Sequence, residues 1–264
     1  MKKWLKVISI TLAIIIITIV LTMILFPDFL AKLSIVLSVK HQYSEKDNPR
    51  AYAKLKWRDI SNSMDTSNMY VISYDGLSLR SPWGKEIERI GSSESKHNES
   101  DNPGIAGFKY ENDKAIAIRG GFESKPLFKE MLEELYTELE PKEIEKFKKS
   151  PYYNIMNDVT EFEEVKLIYG TSPEDISINK SLEKLVYMNM FLVLKEISMY
   201  SGAENGLYQF KTDKIKGFQF GDFNKVAFQI YDMDEKIEYF VLVNGATKEE
   251  LDAIISSISI ENQH

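Results

Sequence analysis

The sequence predicts an α+β protein, with a single N-terminal transmembrane helix followed by one domain in which an antiparallel β-sheet packs against helices. A 20-residue apolar segment lies near the amino terminus, four runs with two-residue hydrophobic periodicity lie near the carboxyl end, and segments with helical periodicity lie between them. The predicted domains are residues 1–27 (cytoplasmic tip and anchor), 28–68 (juxtamembrane helix and stalk) and 69–264 (extracytoplasmic α+β domain).

The apolar segment from Val7 to Phe26 has the length of a membrane span. Its only polar residues are one serine and three threonines, and as a helix it would be about 30 Å long, the thickness of a hydrocarbon core. A secretory signal would have a shorter apolar stretch and a cleavage site with small residues. Phe26 is followed instead by Pro27 and Asp28. An uncleaved anchor in contact with the lipid bilayer is therefore favoured over a cleaved signal or a buried helix.

Cations around this segment predict its orientation. Lys2, Lys3 and Lys6 precede it, whereas Lys32 and Lys40 follow at wider spacing. The positive-inside rule then places the amino terminus in the cytoplasm and the C-terminal domain outside. The predicted location is the cell membrane, crossed once.

The next apolar segment, Phe29 to Val39, is too short to cross a bilayer again and is interrupted by Lys32. Two interpretations stay open: a helix lying in the membrane interface, or a helix that continues the anchor and packs on the domain. Residues 41–68 are rich in serine, asparagine, aspartate and lysine, which is typical of a stalk. Within them, Ala51 to Trp57 has the composition of a short helix.

The domain is predicted to open with a β-hairpin. The stretch MYVISYDGLSLRSPW contains two β-rich runs on either side of Asp75-Gly76, a strong two-residue turn. Residues Gly91 to Gly104 follow and include no hydrophobic residue. They predict a flexible surface loop, because nothing in them offsets the entropy lost on ordering.

The middle of the chain alternates between strand and helix patterns. Lys114 to Arg119 alternates in hydrophobicity as a strand does. Helical spacing predicts a helix from Phe128 to Leu139, ended by Pro141, and a short helix from Lys142 to Lys149. Glu163 to Tyr169 predicts another strand.

A long helix is predicted next. Ser172-Pro173-Glu174-Asp175 has the pattern of a helix start, with serine as N-cap, proline in the first turn and acids at the positive end of the dipole. The helix that follows contains Leu185 to Leu194, which is apolar on every side except at Asn189. Ten residues cannot cross a bilayer, so this segment is predicted to be the central core helix, covered on most faces.

The carboxyl end changes to strand periodicity. The runs LYQF, IKGFQF, KVAFQIY and KIEYFVLV predict a four-strand antiparallel meander. Thr247, with Glu250 three residues later, forms a capping box that opens a terminal helix from Lys248 to Ser257. Three apolar residues of that helix can dock on the sheet: Leu251, Ile254 and Ile255.

The meander, followed by a capped helix that ends in ISSISI, resembles the close of PsbP-like α/β/α sandwich domains, and YVISYDGLSLRSPW resembles their opening hairpin. The resemblance implies an α/β/α sandwich and a binding or accessory role, since these domains are mostly non-enzymatic. It implies no particular functional residue. The middle of the chain, about Glu123 to Tyr200, departs from the family pattern.

Composition excludes several classes of function. The chain has a net charge of −7; residues 1–40 carry five lysines and one aspartate, which leaves −11 for residues 41–264. Such an acidic domain is poorly suited to nucleic acid. The absence of cysteine excludes disulfides, thiolate nucleophiles and zinc–thiolate sites. The richness in lysine, isoleucine, asparagine and glutamate favours a bacterial source.

No motif predicts catalysis, a cofactor or a metal. The histidines His41, His97 and His264 lie in the stalk, in the polar loop and at the end of the chain, where nothing positions them for a triad. The segment Asp175–Ser181 has alternating oxygen ligands but lacks the glycine and glutamate of a calcium loop. The acids from Asp232 to Glu235 could hold a divalent cation, although a polar hairpin tip explains them equally well.

Four aromatic residues near the polar loop are the candidate partner-binding residues: Trp83, Phe108, Tyr110 and Phe122. They could frame a ligand groove, although core packing is the commoner role for each. The sequence therefore predicts a membrane-anchored, non-catalytic extracytoplasmic module that binds a protein or a cell-envelope component. The alternative is a carboxylate-dependent cell-envelope hydrolase, because paired carboxylates are set by the fold rather than by sequence spacing.

Overall fold

The computed structural model describes residues 28–61, 64–91, 104–128, 140–149, 153 and 157–261. These residues form two compact units. The first unit contains the described residues up to Tyr52 together with Thr171–Ile197, and the second contains the rest, beginning at Ala53 and resuming at Ser198.

The described helices, in chain order, are α1 (Phe29–Gln42), α2 (Pro49–Tyr52), α3 (Pro141–Lys148), α4 (Glu161–Gly170), a 3-10 helix (Pro173–Asp175), α5 (Leu182–Ser198) and α6 (Lys248–Ser257). The described strands are β1 (Lys56–Trp57), β2 (Tyr70–Tyr74), β3 (Leu77–Ser81), β4 (Glu88–Gly91), β5 (Ile105–Lys109), β6 (Ala115–Glu123), β7 (Leu207–Lys211), β8 (Ile215–Phe220), β9 (Lys225–Asp232), β10 (Ile237–Asn244) and β11 (Ser259–Ile260).

The first unit is a small helical cluster around α1 and α5. Its core contains Val36 and Val39 of α1 and, from α5, Leu185, Met188 and Leu192. The prediction was a central core helix covered on most faces; in the structure, α5 is buried on one side, within the first unit. The other side is open, with Val186 52% exposed and Ile197 76% exposed.

The segment before α5 differs from its prediction. Ser172 and Asp175 form a reciprocal capping box, but it opens only a 3-10 helix. Helix α5 begins seven residues later, where the Ser181 hydroxyl accepts a hydrogen bond from the Lys184 N–H at 3.2 Å. The sequence thus contains two helix-start signals, one at Ser172 and one at Ser181, whereas a single helix was predicted.

The second unit is built on an eight-stranded sheet in the order β1-β7-β8-β9-β10-β6-β5-β4. All neighbouring strands are antiparallel except β1 and β7, which are parallel, so the sheet is mixed. A three-stranded sheet in the order β11-β3-β2 completes this unit. The meander β7–β10 and the hairpin β2–β3 around Asp75-Gly76 confirm two predictions.

The two faces of the large sheet carry different side chains, because alternate residues of a strand point to opposite sides. One face packs on α6 and is apolar; we call it the α6 face. Its core residues include Phe210, Val226, Phe228, Ile230, Val241, Leu251, Ile254 and Ile255. The opposite face, at strands β8 and β9, packs on aromatic residues of α4; we call it the α4 face. Its ring contacts join Phe162 and Tyr169 of α4 to Phe218, Phe220 and Tyr231.

The prediction of a single transmembrane helix, and of a single-pass location in the cell membrane, is not supported by the structure and is corrected. Within the described ranges, no helix is both long enough and apolar enough to cross a membrane. The longest, α5, has 17 residues and carries charged side chains at both ends. The predicted span, Val7 to Phe26, lies outside the described residues. The segment from Phe29 to Val39 lies in α1 and contributes to the first unit's core.

The predicted strand from Glu163 to Tyr169 is wrong, since these residues belong to α4. The alternation Val165-Lys166-Leu167 resembles a strand, but the buried residues Phe162 and Tyr169 are seven positions apart, a helical spacing. The acids Glu161, Glu163 and Glu164 in the first turn also favour a helix N-terminus.

The remaining element predictions have mixed outcomes. Helix α3 and the capped helix α6 confirm two of them. The predicted helix from Ala51 to Trp57 is instead α2 followed by strand β1. Most of the predicted helix from Phe128 to Leu139, and residues 92–103 of the predicted polar loop, lie outside the described residues.

Candidate functional site

The structure brings together two of the four predicted partner-binding residues. The rings of Trp83 and Tyr110 meet edge to face with centroids 5.1 Å apart. Phe108 is 1% exposed and belongs to the core. Phe122 is paired in register with Glu238, where its ring contacts Phe240. Thus Trp83 and Tyr110 form one group, and Phe122 belongs to the α4 face.

A cleft of about 390 Å³ lies beside Trp83. It is formed by the segment that leads from β3 to β4 and by the turn between β5 and β6. Its lining residues are Trp83, Lys85, Ile87, Glu111, Asn112 and Lys114. The volume is within the range of small-ligand sites, which is about 300–1,000 Å³. The lining combines one indole ring with side chains of both charges.

The turn that forms one wall of the cleft is held in place from several sides. Asn112 and Asp113 have φ angles of 58° and 59°, a left-handed conformation that asparagine and aspartate adopt more readily than most residues. Asn244 Nδ2 donates a hydrogen bond to the Asp113 carbonyl at 2.9 Å. Lys114 Nζ pairs with Glu250 Oε1 at 2.8 Å, which ties the turn to the first turn of α6. The wall is therefore preformed.

The charged side chains of the cleft lie in two places, one beside the Trp83 ring and one at the rim. Lys114 Nζ lies 5.0 Å from the centroid of the Trp83 ring, within cation–π distance. Burial raises the pKa of Glu250, but hydrogen bonds from Lys114 and the Thr247 backbone outweigh that effect and lower it. The positive charge of Lys114 is thus neutralised by the ionised carboxylate of Glu250. Lys85 and Glu111 are exposed at the rim.

A buried acceptor lies next to the cleft. Glu86 sits between the lining residues Lys85 and Ile87, and its Oε2 atom is buried without a hydrogen-bond partner among the described residues. Buried acceptors are rarely left unpaired.

The α4 face carries a second group of candidate functional side chains, which the sequence did not predict. Glu238 of β10 and Glu161 of α4 both lie within hydrogen-bond distance of the Tyr231 hydroxyl, at 3.1 Å and 3.3 Å. Gln229 Nε2 donates to the same hydroxyl at 2.6 Å and also to Glu238 Oε1. Two carboxylates therefore converge, but the space between them is filled by a tyrosine.

The acids at the β9–β10 turn are engaged within the turn. Asp232 Oδ1 accepts hydrogen bonds from the N–H groups of Lys236 and Ile237, at 2.7 Å and 2.9 Å. Glu235 pairs with Lys216 of β8. A cleft of about 260 Å³ lies beside this turn. The arrangement is that of a polar hairpin tip, and in the described ranges no group of three or more acids and histidines is placed to hold a metal ion.

Most of the residues at the cleft and on the α4 face were not predicted from the sequence. A signal for the cleft was present in Asn112-Asp113, a turn dipeptide between two strands, which also positions Lys114. A signal for the α4 face was present in Glu238, an acid within an otherwise apolar strand run. His41 lies exposed in α1, and the other two histidines lie outside the described residues.

Comparisons with known proteins add no relative from which a function could be transferred. No protein-family model, no curated protein and no solved structure matches the chain.

Proposed function

We propose that this protein is a non-catalytic binding module and that the cleft beside Trp83 holds an extended peptide of a partner protein. The observation that carries the proposal is a preformed cleft that combines an aromatic wall with exposed charges of both signs. A wall held by Asn244 and Glu250 before binding lowers the ordering cost of association.

The neighbouring edge of the sheet favours a peptide over other ligands. Strand β4 is the last strand of the large sheet in the described part of the chain, and all four of its residues are exposed. Ile87, which lines the cleft directly before β4, is 67% exposed, and Ile90 is 46% exposed. An extended peptide can add to such an edge through backbone hydrogen bonds while pockets select its side chains.

The rim charges provide selectivity. Lys85 and Glu111 line the same cleft with opposite signs. A peptide that carries an acid and a base at matching positions would pair with both of them. Rim pairs of this kind contribute more to specificity and association rate than to affinity.

An array of random peptides probed with the full chain tests the proposal. We expect the parent to retain a subset of peptides, and the double variant Lys85→Ala/Glu111→Ala to weaken their capture about tenfold, equivalent to about 1.4 kcal/mol. Both side chains are exposed, so the melting temperature should not change. Lys211→Ala is the matched control, because Lys211 is exposed on β7, several strands away from β5 in the sheet.

Three outcomes would contradict the proposal. The parent could retain no peptide, the double variant could retain the same peptides as the parent, or the retained peptides could be cleaved. A parallel glycan array separates a carbohydrate ligand from a peptide ligand, and capture confined to glycans would also refute the peptide assignment.

The convergent carboxylates Glu161 and Glu238 support a second candidate, a carboxylate-dependent hydrolase. Glycoside hydrolases place two acids on either side of the bond that breaks. Here the Tyr231 hydroxyl lies between the two acids, at hydrogen-bond distance from each, and Glu238 is only 8% exposed, which makes this candidate the weaker one. Hydrolysis of a glycan by the parent, abolished in Glu238→Gln, would reverse that ranking.

A further inference from the structure

The carboxyl group of Glu238 is buried with few sources of compensation. It is 8% exposed and lies among Gln229, Tyr231 and the first turn of α4. Its Oε1 atom accepts hydrogen bonds from Gln229 Nε2 and from the Tyr231 hydroxyl. These are neutral donors, which stabilise a buried negative charge less than a cation would.

Glu161 joins this site to the end of β6. Its Oε1 atom lies 3.3 Å from the Tyr231 hydroxyl. Its Oε2 atom accepts hydrogen bonds from Ser124 Oγ at 2.8 Å and from the Lys125 N–H at 2.6 Å. One carboxylate thus holds both the Tyr231 network and the chain that leaves β6.

The hydrogen-bond network around the Tyr231 hydroxyl has one donor proton too few for its acceptors. The Tyr231 hydroxyl has a single proton, so it can donate to Glu238 or to Glu161 but not fully to both. Gln229 cannot supply a further donor, because its Nε2 already bonds to Tyr231 and Glu238 and its Oε1 accepts from the Tyr169 hydroxyl at 3.2 Å. A proton on one carboxyl group would complete the network.

The charge of Glu161 also favours a bound proton on Glu238. The titratable groups on this face include Tyr169, Tyr200 and Tyr231, whose pKa values are raised by burial. Lys216 is paired with Glu235, and Glu164 accepts a hydrogen bond from the Phe128 N–H. Arg119 lies over the Phe122 ring. Among the described residues, neither Glu161 nor Glu238 forms an ion pair with a lysine or an arginine.

We propose that Glu161 and Glu238 share one proton and form a proton-binding site that holds the first turn of α4, and the segment Ser124–Lys125, against the sheet. When the proton leaves, two carboxylates face each other across one hydroxyl. Their repulsion acts on Glu161, which is the partner of Ser124 and Lys125. The contact between α4 and the end of β6 then weakens.

The direction of the pH dependence follows from the site. Burial, and then the charge of Glu161, raise the pKa of Glu238 to about 8. The folded protein therefore holds this proton more tightly than the unfolded chain, in which a glutamate has its ordinary pKa of about 4.3. The stabilisation is complete below that ordinary pKa, and it is lost as the pH rises toward about 8.

Urea unfolding of the full chain at a series of pH values from about 5 to about 9 tests the proposal. In this window we expect the ratio of folded to unfolded parent to fall by up to about tenfold per pH unit. Glu238→Gln should remove most of that dependence, because the amide keeps a neutral partner at the site. Glu163→Gln is the matched control, since Glu163 lies on the same helix but is exposed and paired with Lys166. It should behave as the parent does.

Two further readouts keep the test decisive if Glu238→Gln does not fold. The infrared spectrum of the parent should contain the C=O band of a protonated carboxyl group at neutral pH, and this band should disappear at alkaline pH. Hydrogen exchange of the Lys125 amide, corrected for its intrinsic rate, should accelerate over the same range. An absent band, or an unchanged pH dependence in a folded Glu238→Gln variant, would overturn the proposal.

Discussion

The two faces of the large sheet solve the same packing problem in different ways. The α6 face is covered by apolar residues of α6 and of the small sheet, and Phe228 and Ile230 at its centre are fully buried. The α4 face also excludes water, yet it buries Gln229, Tyr231 and Glu238 between aromatic rings. An apolar face needs only area and fit, whereas a polar face needs every donor and acceptor matched. The first face is expected to tolerate changes of pH, and the second is expected to respond to them.

The largest effect is expected on the α6 face from Phe228→Ala. The ring is fully buried and meets Phe210 edge to face at 5.9 Å. Its removal leaves a cavity and should lower the free energy of unfolding by about 3–5 kcal/mol, with little change in pH dependence. Urea unfolding measures both quantities. Phe223→Ala, at a ring that is 37% exposed, is the control. Equal losses for the two variants would show that the α6 face is not the main core.

An intermediate effect is expected on the α4 face from Tyr231→Phe. This change keeps the ring and removes the hydroxyl between Glu161 and Glu238, so it should cost about 1–3 kcal/mol. The loss of the hydroxyl donor should also raise the pKa of Glu238 further, because that hydrogen bond favours the ionised form. The pH-dependent loss of stability should therefore extend to higher pH than in the parent. A variant with the parent's profile would show that the hydroxyl does not couple to the carboxylates.

The smallest effects are expected at the helix caps on the two sides of the sheet. The Thr247 hydroxyl accepts from the Glu250 N–H at 3.2 Å, and the Glu250 side chain accepts from the Thr247 N–H at 2.8 Å. The Thr160 hydroxyl makes only a long contact of 3.4 Å to the Glu163 N–H of α4. We expect Thr247→Ala to lower the free energy of unfolding by about 1 kcal/mol and Thr160→Ala to lower it by only a few tenths of a kcal/mol. Thermal melts of the two variants measure the order, and a reversed order would show that the α4 terminus is the better held.

The sequence predicted the parts of the fold whose signals are local. The hairpin at Asp75-Gly76, the meander β7–β10 and the capped helix α6 each depend on turn residues, period-two runs or a capping box within a short stretch. The joining of β10 to β6 could not be predicted in this way. These strands are far apart in the chain, and their pairing depends on which apolar faces meet.

The residues of the two candidate sites were harder to predict, for a related reason. Trp83 and Tyr110 were identified as aromatic residues near a loop, but their partner Lys114 and its counter-ion Glu250 meet only in the folded chain. Glu161 lies in a helix that was predicted in large part as a strand, and Glu238 lies in the last strand of the predicted meander. Paired carboxylates leave no spacing rule in a sequence, because the distance between them is a property of the fold.

The ion pair between Arg58 and Asp252 has a consequence for biosynthesis. Arg58 Nη2 and Asp252 Oδ1 are 2.5 Å apart, both side chains are buried, and 194 positions separate them in the chain. The ribosome therefore synthesises Arg58 long before Asp252, and strand β3 long before its neighbour β11. Until α6 emerges, the nascent second unit has an arginine without its carboxylate and an apolar sheet face without its cover. This places α6 late in assembly, and a nascent chain stalled before Lys248 should be a substrate for chaperones that bind exposed apolar strands.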